Sequence, residues 1–279
     1  MMALEITTLE ENTEGEHTGM IAEHGLSFLV EMNSISVLFD TGRSSAFLQN
    51  AQKLNKPLDA VEHIVLSHGH YDHSGGFRPL VETYPNHPYT LYTGDGFFNP
   101  KYARFNASYQ YLGNDFNTLY LRQHGIKHEI IKEKKEIFPG IWMVTNFFNL
   151  HPEETIHPRF VVRTSNGWMP DHFSDEVLLV VESSKGLIVL VGCSHPGILN
   201  MLDTVRQQFS SPIYALLGGT HLVESDMSRT KTTIDEFKRQ GISILGISHC
   251  SGNDAIVLAT ENSEMHFHNT LGSSLILEE

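Results

Sequence analysis

Apolar positions along this chain gather in short runs, rich in Val, Ile, Leu and Tyr, most of which close at Gly, Asp, Ser or Asn. Runs of this kind predict β-strands. They fall at 4–9, 27–32, 35–39, 63–66, 89–92, 126–131, 141–145, 177–182, 187–191, 213–217 and 242–247. Helical patterning appears over 44–54, 76–83, 196–209 and 230–240, and Pro196 stands where a first helical turn tolerates proline. The early strands follow one another as hairpins, whereas the later ones alternate with helices. That mixture predicts an α/β fold with two sheets packed face to face and helices outside, not a single doubly wound sheet.

Two stretches break the pattern. Between Tyr92 and Tyr120 stand nine aromatics (Tyr92, Phe97, Phe98, Tyr102, Phe105, Tyr109, Tyr111, Phe116, Tyr120) with neither period, which predicts an aromatic-rich insertion or cap around 94–125. Such a segment either fills a satellite core or faces a substrate. From Asn149 to Asp171 runs a polar segment with Trp168 and three prolines, expected to be a long loop around 149–171 of the lid or binding type. No internal repeat is visible, and the 279 residues are expected to form one domain over 1–279.

Composition narrows the function. At 40% hydrophobic and 19% charged residues the chain has ample material for a core, and its net charge is −14. That charge argues against nucleic acid or an anionic membrane as partner. The first residues lack a basic, apolar leader, and the longest aliphatic runs are too short to span a bilayer, so a cytoplasmic protein is expected. Two cysteines, Cys193 and Cys250, exclude a disulfide framework. Histidine is in excess, at 17 residues, which points to metal or proton chemistry.

Spacing sharpens that hint. The strand at 63–66 runs straight into Ser67-His68-Gly69-His70-Tyr71-Asp72-His73-Ser74-Gly75-Gly76. Alternate residues leaving a strand point to one side, so His68 and His70 can share an ion. Asp72 and His73 then open the following helix and can reach a second one.

The H-x-H-x-D-H string after a strand resembles the metallo-β-lactamase superfamily. The resemblance implies a four-layer αβ/βα sandwich with metals at one edge. Asp40-Thr41-Gly42 resembles the early aspartate of that family, which orients a ligating histidine through its other ring nitrogen. Gly192-Cys193-Ser194-His195-Pro196-Gly197, Gly218-Gly219-Thr220-His221-Leu222 and Ser248-His249-Cys250-Ser251-Gly252 are most similar to one subgroup. That subgroup is the 7,8-dihydropterin-6-methyl-4-(β-D-ribofuranosyl)aminobenzene-5′-phosphate synthase-like proteins.

The resemblance implies metal ligands at His68, His70, Asp72, His73, His195 and His249, with Asp72 also the catalytic proton acceptor. The third ligand of the first ion is either His195 or His172, with His195 preferred. Cys193 stands where the superfamily has a bridging Asp, and a thiolate there is an alternative ligand. His221 is read as facing the substrate or supporting a ligand. Other histidines, such as His17, His87, His124, His128, His266 and His268, are expected at the surface, and Cys250 is expected to be structural. One or two zinc ions suit the nitrogen and carboxylate donors, with iron or manganese as alternatives.

The implied activity is that of a metal-dependent hydrolase or transferase on a small anionic molecule. The subgroup's reaction joins a hydroxymethyl-dihydropterin diphosphate to a ribosylated aminobenzene phosphate. The aromatics at 92–120 are suited to stacking on the pterin, and Lys101, Arg104 and Arg122 to phosphate. Helix N-termini at Ser74-Gly75-Gly76 and Pro196-Gly197 are expected to favour an anion. A phosphodiesterase or lactonase is the alternative within enzymes. A non-catalytic, metal-retaining ligand-binding protein is the alternative of another class, and the intact H-x-H-x-D-H string argues against it.

Overall fold

In the computed structural model, which describes residues 3–261 and 264–278, each of those apolar runs forms or overlaps a strand. The first half holds β1 (Ala3–Glu10), β2 (Ser27–Met32), β3 (Ile35–Phe39), α1 (Ala46–Lys53) and β4 (His63–Val65). It continues with α2 (Tyr71–Ser74), α3 (Phe77–Thr83), β5 (Thr90–Gly94), β6 (Lys101–Phe105), β7 (Ser108–Tyr111), α4 (Thr118–Gln123) and β8 (Lys127–Ile131). The second half holds β9 (Lys135–Phe138), β10 (Ile141–Val144), β11 (Phe160–Thr164), β12 (Gly167–Pro170), β13 (Leu178–Ser183) and β14 (Gly186–Val191). After these come α5 (Ile198–Gln208), β15 (Ile213–Gly219), α6 (Met227–Arg239), β16 (Ile244–Ser248), α7 (Asn253–Thr260) and β17 (Ser274–Glu278).

Two large sheets result, in the orders β17-β1-β2-β3-β4-β5-β8 and β16-β15-β14-β13-β10-β9. Side-chain alternation decides how they stack. On β14, Ile188 and Leu190 enter the cluster shared by both sheets, while Leu187, Val189 and Val191 enter the cluster under the helices. Phe28, Phe39 and Val65 of the first sheet meet Met143, Leu179 and Val181 of the second in that shared cluster. Each such fully buried side chain contributes roughly 1.5–3 kcal/mol. Outside, Phe47 of α1, Leu80 of α3 and Leu121 of α4 cover the first sheet, and Met201 of α5, Phe237 of α6 and Ala255 of α7 cover the second. The result is the expected αβ/βα arrangement of four layers.

Both sheets change from antiparallel to parallel pairing part-way across: β3-β4-β5-β8 run parallel in one, β14-β15-β16 in the other. The carboxyl ends of parallel strands are where ligand-binding loops collect in α/β folds. Here Asp40 follows β3, Ser67 and His68 follow β4, Cys193 follows β14, His221 follows β15 and His249 follows β16.

The two irregular stretches come together in the structure. The segment at 149–171 is not loop throughout, because its second half is the β11–β12 hairpin. That hairpin joins β6 and β7, from the aromatic segment, in a third sheet of order β12-β11-β6-β7. Its outer face is an aromatic cluster. Tyr109 stacks on Trp168 with centroids 3.8 Å apart, and Tyr102 meets Tyr111 at 5.1 Å and Trp168 at 5.0 Å. Cross-strand aromatic pairs of this kind stabilise short strands whose local pattern is weak. Phe97 and Phe116 instead turn inward to the core under the first sheet, so the segment supplies both core and covering sheet.

Candidate metal centre

The turn after β4 brings His68 and His70 together with His195 from the turn after β14. Ring centroids are 4.6 Å apart for His68 and His70, 5.0 Å for His68 and His195, and 5.1 Å for His70 and His195. One ring nitrogen from each lies within 4.8 Å of the others. Gly69 between them admits no side chain, since a Cβ there would strike the Phe97 carbonyl. Its N–H donates to Asp175 Oδ2 at 2.8 Å, and Lys101 Nζ bridges Asp175 (2.8 Å) and Asp171 (2.7 Å). A buried ion-pair network therefore fixes the His68–His70 turn.

A second group adjoins the first. Cys193 Sγ lies 3.2 Å from His73 Nε2, and His68, His73 and Cys193 form one cluster of donor atoms within 4.8 Å. His73 Nδ1 is bonded to Asp40 Oδ2 at 2.6 Å, and Ser67 donates to both Asp40 oxygens, N–H to Oδ1 and hydroxyl to Oδ2. Asp72 Oδ2 lies 3.4 Å from His249 Nε2 and 3.2 Å from His24 Nε2. His249 is held from the first sheet: its N–H donates to Glu11 Oε1 at 2.7 Å, and Asn12 Oδ1 lies 2.9 Å from its Nδ1. Cys250 Sγ lies within 4.8 Å of donor atoms of Cys193 and His249.

The donor atoms fit a cation. His68 Nε2, His70 Nε2 and His195 Nε2 are buried and have no hydrogen-bond partner, a state that costs about 1–3 kcal/mol per group unless something else engages it. Burial pushes His68, His70 and His195 well below the ordinary imidazole range, so each is neutral with a free lone pair. Burial alone would lower His73 too, but the Asp40 and Asp72 carboxylates carry it up to about 9, so a cation at its Nε2 would have to displace a proton. Burial opposes ionisation of Asp72, yet His73, His24 and His249 outweigh it and hold the carboxyl well below its usual range.

Backbone strain is concentrated at the same place. Asp40 (φ 60°), Phe173 (φ 49°), Ser194 (φ 61°), His221 (φ 50°) and His249 (φ 54°) are left-handed, and every other non-glycine residue of that kind among those described is an asparagine. Each costs of order 1–3 kcal/mol, and such positions cluster at functional sites.

A cavity of about 360 Å³ opens over the cluster, lined by His70, Asp72, Cys193, His195, His221 and His249 among others. Ala103, Phe105 and Gln110 of the β6–β7 hairpin form its cover. Arg159 and Phe160 from β11 and the residue before it line it as well, with the guanidinium 4.6 Å over the Phe160 ring. His221 faces this cavity, its pKa pushed down to about 4 by burial and then by Arg159.

Several expectations do not fit this geometry. His172 is exposed and belongs to none of the donor groups found among the described residues, whereas His195 does. Lys101 is not free for phosphate, being buried between Asp171 and Asp175, and Arg104 and Arg122 are exposed and line no wall of the cavity. The N-terminus of α5 is already occupied, because Glu154 accepts the Leu199 and Asn200 N–H groups at 3.0 and 2.8 Å. Gly75 and Gly76 donate to the Tyr71 and Gly42 carbonyls. The basic side chain in the cavity wall is Arg159, with its Nη2 paired to Glu224 Oε1 at 2.6 Å. His24, Asn12, Glu11, Asp175 and Arg159 went unread in the sequence, since they lie in polar segments without motif spacing. Apart from Asn12, their one signal in the sequence is a titratable side chain close to a strand end.

The metallo-β-lactamase superfamily model matches residues 21–194. The chain belongs to the metallo-β-lactamase superfamily. Within it, the 7,8-dihydropterin-6-methyl-4-(β-D-ribofuranosyl)-aminobenzene-5′-phosphate synthase of Methanocaldococcus jannaschii is 28% identical, over 98% of this chain and 96% of its own. An uncharacterized protein of the same organism is 30% identical over 94% of this chain and 97% of its own. Among solved structures, a metal-dependent hydrolase of the β-lactamase superfamily superposes with a TM-score of 0.84 at 28% identity, covering 99% and 100% of the two chains. No helix among the described residues is long and apolar enough to cross a membrane.

Proposed function

We propose that the protein is a metal-dependent enzyme acting on a small anionic molecule of the pterin or phosphate-ester type, in a cytoplasmic setting that keeps Cys193 and Cys250 reduced. The observation that carries this reading is the set of buried, unpartnered imidazole nitrogens of His68, His70 and His195 beside a cavity lined by Arg159 and Phe160. His68, His70 and His195 would hold one divalent ion, and Asp72, His73, His249 and Cys193 a second. Zinc suits this mixture of nitrogen, carboxylate and sulfur donors, with iron or manganese as alternatives. When bound, such ions supply Lewis acidity toward a phosphoryl or carbonyl oxygen and neutralise a leaving diphosphate.

The chain's own groups supply the rest. Asp40 accepts from His73 Nδ1 and so directs Nε2 toward Cys193. Asp72, held ionised at the cavity wall, is the proton acceptor. Arg159, whose Nη2 pairs with Glu224, keeps its unpartnered Nε for substrate charge, and Phe160 and Phe105 offer flat faces to a ring. Likeness to the named synthase along almost the entire chain supports the transferase form of this reading.

A second reading, simple hydrolysis of a phosphodiester or lactone, is favoured by the solved hydrolase with TM-score 0.84. One assay panel separates them. Zinc-loaded protein is given a dihydropterin diphosphate with a ribosylaminobenzene phosphate, and in parallel bis-p-nitrophenyl phosphate and lactones. Condensation with slow ester hydrolysis supports the transferase. Robust ester hydrolysis without condensation supports the hydrolase.

A further inference from the structure

Next to the main cavity, and meeting it along His195 and His221, is a smaller one of about 120 Å³. Thr220, Ser225 and Arg229 line it, together with the exposed loop at 155–158. Thr220 Oγ1, Ser225 Oγ and Arg229 Nε are all buried atoms without a hydrogen-bond partner. Thr220 as a whole is only 2% exposed. Three residues of one small cavity wall thus each carry an unpartnered polar atom, which is costly unless a ligand engages it.

Charge points to an anion. Arg229 approaches Glu154 no closer than 3.9 Å, and Glu154 already accepts two helix N–H groups. Glu224 is the carboxylate in the wall, and both its oxygens face cationic or imidazole groups, Oε1 at 2.6 Å from Arg159 Nη2 and Oε2 at 3.5 Å from His221 Nδ1. The guanidinium and two hydroxyls come from three separate positions, the end of β15, the turn before α6 and α6 itself. A tetrahedral oxyanion can accept from several directions at once, whereas a planar carboxylate offers its acceptors in one plane. The cavity is too small for a fused ring beside that group.

We infer that this cavity seats the phosphate-monoester end of a substrate whose ring lies in the main cavity, with Arg229, Thr220 and Ser225 as its donors. The identity of the ring rests on the enzyme proposed above; the seat itself rests on these three side chains.

The test uses phenylphosphonate, a monoester mimic that cannot be hydrolysed, and inorganic phosphate, titrated into zinc-loaded and chelator-treated full-length protein. Saturable phenylphosphonate binding is expected in both preparations, at least as tight as inorganic phosphate. Arg229→Gln is expected to weaken it by about tenfold or more, and Thr220→Val and Ser225→Ala by about threefold each, with zinc content unchanged. Should Arg229→Gln fail to fold, the near-isosteric Thr220→Val and the small Ser225→Ala decide the matter. Equal affinity in all variants, loss of binding on chelation, or acceptance of inorganic phosphate with rejection of phenylphosphonate would each overturn the seat. A seat that survives while the protein retains no metal refutes the enzyme reading alone. Metal-dependent turnover with unchanged phosphonate affinity in the variants refutes the seat alone.

Discussion

Asp40 and His73, 33 residues apart and both fully buried, are joined by a 2.6 Å hydrogen bond that spans the end of β3 and the short helix α2. Asp40 accepts there and from Ser67 through both of its oxygens. Carboxylates that fix a ligating histidine from behind typically influence metal affinity by 10–100-fold. Asp40→Asn keeps the shape and removes the charge. It is expected to weaken zinc binding by about that factor in a competitive chelator titration, with the His68–His70–His195 ion less affected than the second.

Cys193 Sγ, 3.2 Å from His73 Nε2, is proposed as a soft donor to the second ion. Cobalt-substituted protein should therefore show the near-ultraviolet absorption of a thiolate-to-cobalt charge transfer, and Cys193→Ser should lose it. If the band survives in Cys193→Ser but not in Cys250→Ser, the second thiol is the ligand.

Lys101 links the third sheet to the histidine turn through Asp171 and Asp175. Removing one partner of a buried pair leaves uncompensated charge, at a cost of about 3–5 kcal/mol. Lys101→Met should lower stability by that amount in urea denaturation and loosen metal binding, because Asp175 also holds the Gly69 N–H. A variant as stable as the parent would show that the network carries little weight.

Glu10 gives a pH signature. Burial raises its carboxyl to about 8 from an ordinary 4.5, against the Arg43 N–H that it accepts at 2.6 Å. Because the folded state binds this proton more tightly than the unfolded one, its contribution is full below about 4.5 and is lost as pH rises toward 8. Glu10→Gln keeps the acceptor and removes the ionisation. Denaturation midpoints measured between pH 4.5 and 8 on chelator-treated protein should fall less steeply in the variant than in the parent. Parallel curves would contradict the assignment.

How much of this was written in the sequence follows from what each feature depends on. The core strands were legible because their apolar runs are local and continuous, as in Val177 to Val181 and Leu187 to Val191. The His68–His73 string was legible because its spacing is itself the geometry. The β6–β7 and β11–β12 hairpins were not, since their strands are stabilised by Tyr109, Tyr102 and Trp168 meeting across chain separations that no local period reveals. His24, Asn12 and Glu11 escaped for the same reason: they reach Asp72 and His249 only once β1 and β16 have been brought side by side in space by the packing of two sheets. The helix N-terminus at Pro196-Gly197 misled, because Glu154, 45 residues upstream of Leu199, fills it.

His68, His70 and His195, with their neighbours, are proposed to hold a metal. Elemental analysis of purified protein beside His195→Ala and His172→Ala tests this proposal most directly. One to two equivalents of zinc, iron or manganese are expected in the parent and in His172→Ala, and a loss of about one equivalent in His195→Ala. A metal-free parent with full activity, or a loss of metal in His172→Ala with His195→Ala unaffected, would contradict it.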